Sequence, residues 1–268
     1  MTEPRLSSKI LQTREVCLWQ ASLDICGSHL DKLAGLLSKK ETARSRRFLK
    51  EIHQKRFIAA HGILRCILSG LLDIDPERLF FESDSRGKPH LKNNPEVSFP
   101  YFNLSHSRDM MVLGVSIKQP IGVDVEYIRT RVDIFRLAKR FFSPAEFMDI
   151  KTAPQELAKQ KFYQYWTLKE AYLKATGDGI SRLRDIEIMF SGNCTCRVLD
   201  RGRPMDEKWS IAPVTTPSGY AGALAVKKKD SDLMPAIDVR VFEFNNSDGH
   251  KNGKDKIVNH MAGNKQNC

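Results

Sequence analysis

Three carboxylates and one lysine carry the chemistry that this chain could do. Asp124 and Glu126 stand two apart in Ile-Gly-Val-Asp-Val-Glu (121–126). Glu170 and Lys174 stand four apart in Trp-Thr-Leu-Lys-Glu-Ala-Tyr-Leu-Lys-Ala-Thr-Gly (166–177). The first segment alternates apolar and polar residues, which predicts a strand. Val123 and Val125 then face a core, and Asp124 and Glu126 share the other face about 6–7 Å apart. The second segment has helical periodicity, so Glu170 and Lys174 stack on one face. If that helix docks on the acidic face of the strand, three carboxylates converge beside an ammonium. Hard oxygen ligands of this kind suit Mg²⁺, which usually takes one or two carboxylates plus substrate phosphates and water. Each pair alone is also what an ordinary solvated strand or helix face looks like.

Phosphate-binding residue types surround these groups. Phe-Asn-Leu-Ser-His-Ser (102–107) ends one apolar segment, and Ser105, His106 and Ser107 are expected in the turn that follows it. Hydroxyls, an imidazole and turn N–H groups can all meet phosphate oxygens. Arg-Gly-Lys-Pro (86–89) is a Gly/Pro-punctuated loop that offers Lys88.

The elements that must position these residues are legible in outline. A strand is expected over 15–20. Ser38-Lys-Lys-Glu41 is a capping box, followed by helical spacing of Phe48, Ile52, Ala59, Ile63, Ile67 and Leu71, with Gly70 as a stop. One side of this helix carries Arg44, Arg46, Arg47, Lys50, Lys55 and Arg56, a solvated face or a phosphate contact through Arg44 and Arg56. Short strands follow, and Pro120 marks a boundary between halves. Helices are expected over 132–142, from the capping box Ser143-Pro-Ala-Glu146, and over 155–176, ended by Gly177 and Gly179. Glu146 is sufficiently explained as a cap. Further strands are expected over 185–190, 195–199, 209–212, 220–226 and 237–244. The expected domains are a flexible 1–13, halves over 14–119 and 120–244, and a disordered polar tail over 245–268.

The chain has 268 residues, 41% of them hydrophobic, and a formal net charge of +11, so it can bury a sizeable core and favours anionic partners. Its six cysteines lack zinc spacing and suggest no disulfide framework. The charged N-terminus has no apolar signal region, and no apolar run is long enough to span a bilayer, so a cytoplasmic location is expected.

In order and spacing, Arg-Gly-Lys-Pro, Phe-Asn-Leu-Ser-His-Ser, Ile-Gly-Val-Asp-Val-Glu, Phe-Phe-Ser-Pro-Ala-Glu and Trp-Thr-Leu-Lys-Glu-Ala-Tyr-Leu-Lys resemble the 4′-phosphopantetheinyl transferases. The resemblance covers about residues 14–244 and is to the larger, monomeric type, similar to the surfactin-synthetase activating enzyme. It implies an α+β fold of two similar subdomains related by a pseudo-twofold. Each would be a small, mostly antiparallel sheet packed with a long helix, with the active site in the cleft between them. It implies transfer of the 4′-phosphopantetheine arm of coenzyme A to a serine of an acidic acyl or peptidyl carrier protein, with Mg²⁺ required. Carried over by motif, Asp124, Glu126 and Glu170 hold the metal. Lys88, Ser105 and His106 contact coenzyme A, Lys174 lies beside the diphosphate, and Glu170 and Lys174 are the catalytic pair. Arg44 and Arg56 belong to a basic stretch of looser pattern, where a position often lysine in relatives aligns with Glu41. Neither nucleic acid nor membrane is an expected partner. A basic nucleic-acid-binding protein would explain the charge, but clustered carboxylates repel a phosphate backbone unless a metal intervenes. A different Mg²⁺-dependent nucleotide-processing enzyme is the other alternative.

Overall fold

The computed structural model of the chain has two compact units. The described residues of one are 16–83, 87–92, 100, 108–117, 237–243 and 254–257; those of the other are 101–107, 118–191, 195–205 and 207–228. The expected flexible N-terminus, Arg86, Cys194, Cys268 and the polar tail apart from 254–257 lie outside the described residues.

In the first unit, β1 (Val16–Ser22) is an almost unbroken apolar run, as a strand covered on both faces must be. Helices α1 (Gly27–Gly35), α2 (Lys39–Ser45) and α3 (Glu51–Leu72) follow. The hairpin β2 (Phe81–Ser83) and β3 (Pro89–Leu91) comes next, and later β5 (Met110–Ser116), buried along its whole length. Strand β1 pairs antiparallel with β5, Val16 opposite Ser116, and parallel with β12 (Ile237–Glu243), Val16 opposite Ile237. Strand β13 (Lys254–Ile257) pairs antiparallel with β12.

The Ser38–Glu41 capping box forms as expected, but it opens the seven-residue α2 and not the long helix. The chain breaks at 46–50, and α3 starts afresh at Glu51. Gly70 lies inside α3; the helix stops at Asp73, whose left-handed backbone (φ 55°) closes the last turn. Glu41 does more than cap. Its carboxylate accepts hydrogen bonds from Arg65 Nε (3.0 Å) and Arg65 Nη2 (2.7 Å), and His61 Nδ1 lies 3.0 Å away. Arg65 is itself buried and also donates to the Leu79 carbonyl at 3.1 Å, so Glu41 ties α2, α3 and the segment before β2 together.

The second unit contains β4 (Tyr101–Ser107) and β6 (Ile121–Tyr127), then α4 (Ile134–Phe141), α5 (Pro144–Thr152) and α6 (Gln155–Thr176). Strands β7 (Ile186–Ser191), β8 (Thr195–Asp200) and β9 (Arg203–Pro204) form one antiparallel sheet. Strands β10 (Trp209–Pro213) and β11 (Tyr220–Lys227) join β6 in another, in the order β10-β11-β6. Helix α6 packs on β6 and β11 and supplies Phe162, Leu168, Ala171, Tyr172 and Leu173 to the core. It ends where expected, at Gly177 with φ 78°. Separate small, mostly antiparallel sheets with a 22-residue helix in each unit make the class α+β.

Glu146 forms the expected capping box with Ser143 and more besides. It is 1% exposed, accepts from the Ile188 N–H at 2.8 Å, and pairs with the fully buried Lys169, whose ammonium lies 4.6 Å over the Phe142 ring. Burial pushes the Glu146 carboxyl up and the Lys169 ammonium down, each partner opposing the shift of the other. The pair pins α5, α6 and β7 to one another. Among the described residues, no helix is long and apolar enough to cross a membrane.

Glu41 sets the acid stability of the first unit. Burial works to raise its carboxyl, but hydrogen bonds with His61, Ser38 and Arg65 outweigh it and pull the pKa from the ordinary 4.5 to about 2. A carboxyl depressed in this way contributes stability above its unfolded value and loses it as pH falls through the folded one, here between about 4.5 and 2. At neutral pH the contribution is about 3 kcal/mol. Glu41→Gln should be less stable than wild type by about that amount at pH 7, with the gap closing towards pH 2. Urea unfolding of both proteins at pH 7, 4 and 3 measures it; a pH-independent gap would remove the carboxylate from the explanation.

Candidate active site

The site in the second unit is built where β6 meets α6. Gly122 makes the meeting close: a Cβ there would overlap the Ala171 carbonyl oxygen and the Ala175 nitrogen. Ala171 and Ala175 are one helical turn apart, on the side that touches β6. Their neighbours Glu170 and Lys174 are thereby delivered to the acidic face of the strand. Lys174 Nζ donates to Asp124 Oδ1 at 2.6 Å and to Ser105 Oγ at 3.1 Å. Asp124 is 3% exposed and Glu170 8%, whereas Glu126 is half-buried.

Ser105, His106 and Ser107 are the last three residues of β4, not a turn. The turn is Arg108–Asp109, with Arg108 at φ 52°. Strand alternation therefore separates them: Ser105 and Ser107 are buried towards β6, and His106 is exposed on the other side. The inward residues of β4 take the place of a backbone ladder. Asn103 Oδ1 accepts from Val123 N (2.8 Å), Ser105 Oγ from Val125 N (3.4 Å) and Ser107 Oγ from Tyr127 N (3.1 Å). Those N–H groups lie on the edge of β6 away from β11 and need partners once buried. Each serine then has one proton to give. Ser105 Oγ donates to Asp124 Oδ1 (2.9 Å) and Ser107 Oγ to Glu126 Oε2 (2.7 Å). The Ser105 hydroxyl is thus engaged inside the carboxylate network. Asn103 and Ser107 were not picked out as site residues from the sequence. The polar alternation Asn103, Ser105, Ser107 is the signal that would have found them.

Electrostatics follow from this crowding. Burial raises the Glu170 carboxyl, and the negative charges of Asp124 and then Glu126 add to it against Lys174, bringing it to about 7. Burial likewise raises Glu126, opposed by the Ser107 hydrogen bond and assisted by Asp124. A carboxyl that titrates near neutrality can exchange a proton with a reacting group at physiological pH. Asp124 Oδ2 is buried and has no hydrogen-bond partner among the described residues. A bare carboxylate oxygen beside two more carboxyls pushed towards protonation is a donor set suited to a hard divalent cation. Among the described residues, no group of three or more His, Cys, Asp and Glu side chains is placed as it stands to hold a metal ion. The protein donors present match a cation that completes its shell with substrate oxygens and water.

The remaining predicted site residues belong to the first unit. Arg44 is exposed on α2, its guanidinium 5.3 Å from the Phe57 ring centre. Arg56, on α3, is partly covered, and its buried Nε has no hydrogen-bond partner among the described residues. Lys88 is half-buried in the loop before β3.

The model of the 4′-phosphopantetheinyl transferase superfamily matches residues 120–225, which include Asp124, Glu126, Glu170 and Lys174. That of the 4′-phosphopantetheinyl transferase N-terminal region matches residues 19–118. HetI, a 4′-phosphopantetheinyl transferase of Nostoc sp., is 45% identical over 188 residues, covering 70% of this chain and 79% of that protein. A 4′-phosphopantetheinyl transferase of Bacillus pumilus is 35% identical over 188 residues, covering 69% and 78%. A phosphopantetheinyl transferase of Thraustochytrium sp. is 31% identical over 220 residues, covering 77% and 76%. With both halves matched, the chain belongs to the 4′-phosphopantetheinyl transferase superfamily.

The contact at Gly122 yields a direct test. Gly122→Ala must push α6 off β6, and overpacking of this kind costs about 1–3 kcal/mol. Urea denaturation should show that loss; unchanged stability would mean that the two backbones do not touch.

Proposed function

We propose that this enzyme transfers the 4′-phosphopantetheine group of coenzyme A to a serine of an apo carrier protein, using the carboxylate–lysine cluster of the second unit. The observation that carries the reading is the buried Asp124, paired with Lys174 yet with Oδ2 unpartnered, inside the segment that matches the transferase family. Asp124, Glu126 and Glu170 are the residues that would hold Mg²⁺. When bound, Mg²⁺ supplies neutralisation of the diphosphate oxygens and stabilises charge on the leaving group.

The reaction is a displacement at phosphorus. The serine Oγ of the carrier forms a bond to the phosphorus that bears the pantetheine arm. The bond from that phosphorus to the bridging oxygen breaks, and adenosine 3′,5′-bisphosphate leaves with the electron pair. Such transfers depend on positioning and charge stabilisation more than on covalent catalysis. Glu170 accepts the serine proton directly or through water. Lys174 stabilises the departing phosphate with its ammonium. By the same resemblance, Lys88, His106, Arg44 and Arg56 are the residues that would meet phosphates of coenzyme A. The enzyme acts as a monomer in the cytoplasm.

The carrier meets α4. Ile134 and Ala138 are buried beneath this helix, whereas Phe135, Arg136, Lys139 and Arg140 are exposed. A basic face around one exposed aromatic ring suits an acidic carrier helix, with complementary charge raising the association rate.

Asp124→Ala and Glu170→Ala should each reduce transfer by about 100-fold or more while remaining folded, because each removes a residue that would hold the cation and Glu170→Ala also removes the proton acceptor. Intact mass of an apo carrier incubated with coenzyme A and Mg²⁺ reads the transfer directly. Wild-type rates in both variants at limiting Mg²⁺ would overturn the site assignment. Reversing Arg136 and Arg140 to glutamate should raise the carrier KM roughly tenfold and flatten its salt dependence, leaving the coenzyme A KM unchanged. Steady-state kinetics at two ionic strengths, with each substrate varied in turn, check this. An equal rise in the coenzyme A KM would assign these arginines to the nucleotide.

A further inference from the structure

Strand β4 does something to the carboxylates that neither the motif order nor the charge pattern predicts. Asn103, Ser105 and Ser107 all satisfy N–H groups of β6, but they differ in what else they touch. Asn103 touches no carboxylate through its accepting oxygen. Ser105 is shared between Asp124, Lys174 and the Val125 N–H, so its removal would disturb several groups at once. Ser107 makes one backbone rung, to Tyr127 N at 3.1 Å, and one carboxylate contact, to Glu126 Oε2 at 2.7 Å. Its hydroxyl therefore has a fixed sense. The lone pair faces the incoming N–H, and the only proton it owns points at Glu126.

Glu126 needs such a tether. Asp124 has a short side chain held by both Ser105 and Lys174. Glu126 has one more rotatable bond and is half-buried; among the described residues, Ser107 is its hydrogen-bond partner. Ser107 thus restrains the longest and least buried of the two strand carboxylates, and it engages only one of the two oxygens.

We propose that Ser107 is a positioning residue for the divalent cation: by holding Glu126 Oε2 it keeps that carboxylate beside Asp124 in the orientation that cation binding requires. This rests on the reading of Asp124, Glu126 and Glu170 as the cation-holding residues. Hydrogen-bond partners of metal ligands commonly contribute about 10–100-fold to metal affinity. For one tether on one of three ligands, the lower end applies, about tenfold.

The experiment is a Mn²⁺ titration followed by electron paramagnetic resonance, with the full chain and coenzyme A present and carrier protein omitted, so that no turnover occurs. Ser107→Val and Ser107→Ala remove the hydroxyl with different volumes; Ser107→Thr keeps it on a side chain shaped like valine. Asn103→Ala removes a rung of the same kind without a carboxylate contact. The valine and alanine variants should weaken Mn²⁺ by about tenfold, while the threonine and Asn103 variants stay near wild type. Thermal denaturation of all four separates this from loss of fold, since Asn103→Ala should be destabilised without losing the cation. Wild-type affinity in Ser107→Val and Ser107→Ala would overturn the proposal. So would an equal loss in Asn103→Ala, which would make the rung and not the hydroxyl–carboxylate contact responsible. Asp124→Asn in the same titration isolates the underlying reading: if it binds Mn²⁺ like wild type, the cation site itself is wrong and the proposal falls with it. If Asp124→Asn loses the ion while the Ser107 variants keep it, the positioning role alone is rejected.

Discussion

The contact between the backbone of Gly122 and that of Ala171–Ala175 is the constraint on which the site depends. A strand and a helix pack at this distance only if neither presents a side chain at the crossing. Glycine on one side and two alanines one turn apart on the other meet that condition. Once the two backbones touch, the residues beside the contact have little freedom. Lys174 reaches Asp124 at 2.6 Å because Gly122, lacking a Cβ, lets Ala175 come this close to the strand. Glu170 is held in the same layer, next to Asp124 and Glu126, because Ala171 is seated one turn earlier.

Burying so much charge is costly, and the arrangement shows how the cost is met. Two buried carboxylate–cation contacts occur along α6, with opposite environments. Lys169 and Glu146 are fully enclosed, and the carboxylate also takes two backbone N–H groups, from Ser143 and Ile188. A satisfied, enclosed pair of this kind joins elements together, and removing one partner typically costs about 3–5 kcal/mol. Lys174 and Asp124 are paired too, but one oxygen of Asp124 is bare and Lys174 is partly open to solvent. The adjacent residues Lys169 and Glu170, about 100° apart around the helix, thus lie in different surroundings, Lys169 against Glu146 and Glu170 beside Asp124 and Glu126. The same division separates Glu41 from Arg44 on α2. Glu41 is consumed by Arg65 and His61, whereas Arg44 stays on the surface.

Basic charge by itself discriminated little. A net charge of +11 suits nucleic acid, a membrane surface or a polyanionic cofactor equally. What distinguishes them is a carboxylate cluster embedded in that basic chain, because carboxylates beside a phosphate make sense only with a cation or a proton between them.

Much of this was determined by the sequence itself, since it is local. Alternation over 121–126 put Asp124 and Glu126 on one face, and four-residue spacing put Glu170 and Lys174 on one face of a helix whose bounds, 155–176, follow from its flanking proline and glycine. Both capping boxes formed because their hydrogen bonds close within four residues. Local signals were weaker at element ends. The helix expected from Ser38 broke at 46–50, and the turn expected at 105–107 was the end of a strand. Apolar spacing continues through a break, and a polar Ser-His-Ser looks like a turn until a second strand claims its hydroxyls. Only the tertiary structure decided that β4 would satisfy the edge of β6 with side chains, that Ser105 and Ser107 would give their protons to carboxylates, and that Glu146 would meet Lys169. Those contacts join residues about twenty positions apart in the chain or more, so they exist only after packing has chosen which faces meet. Periodicity states which face a residue is on; the fit of Gly122 against Ala171 and Ala175 decides what that face touches.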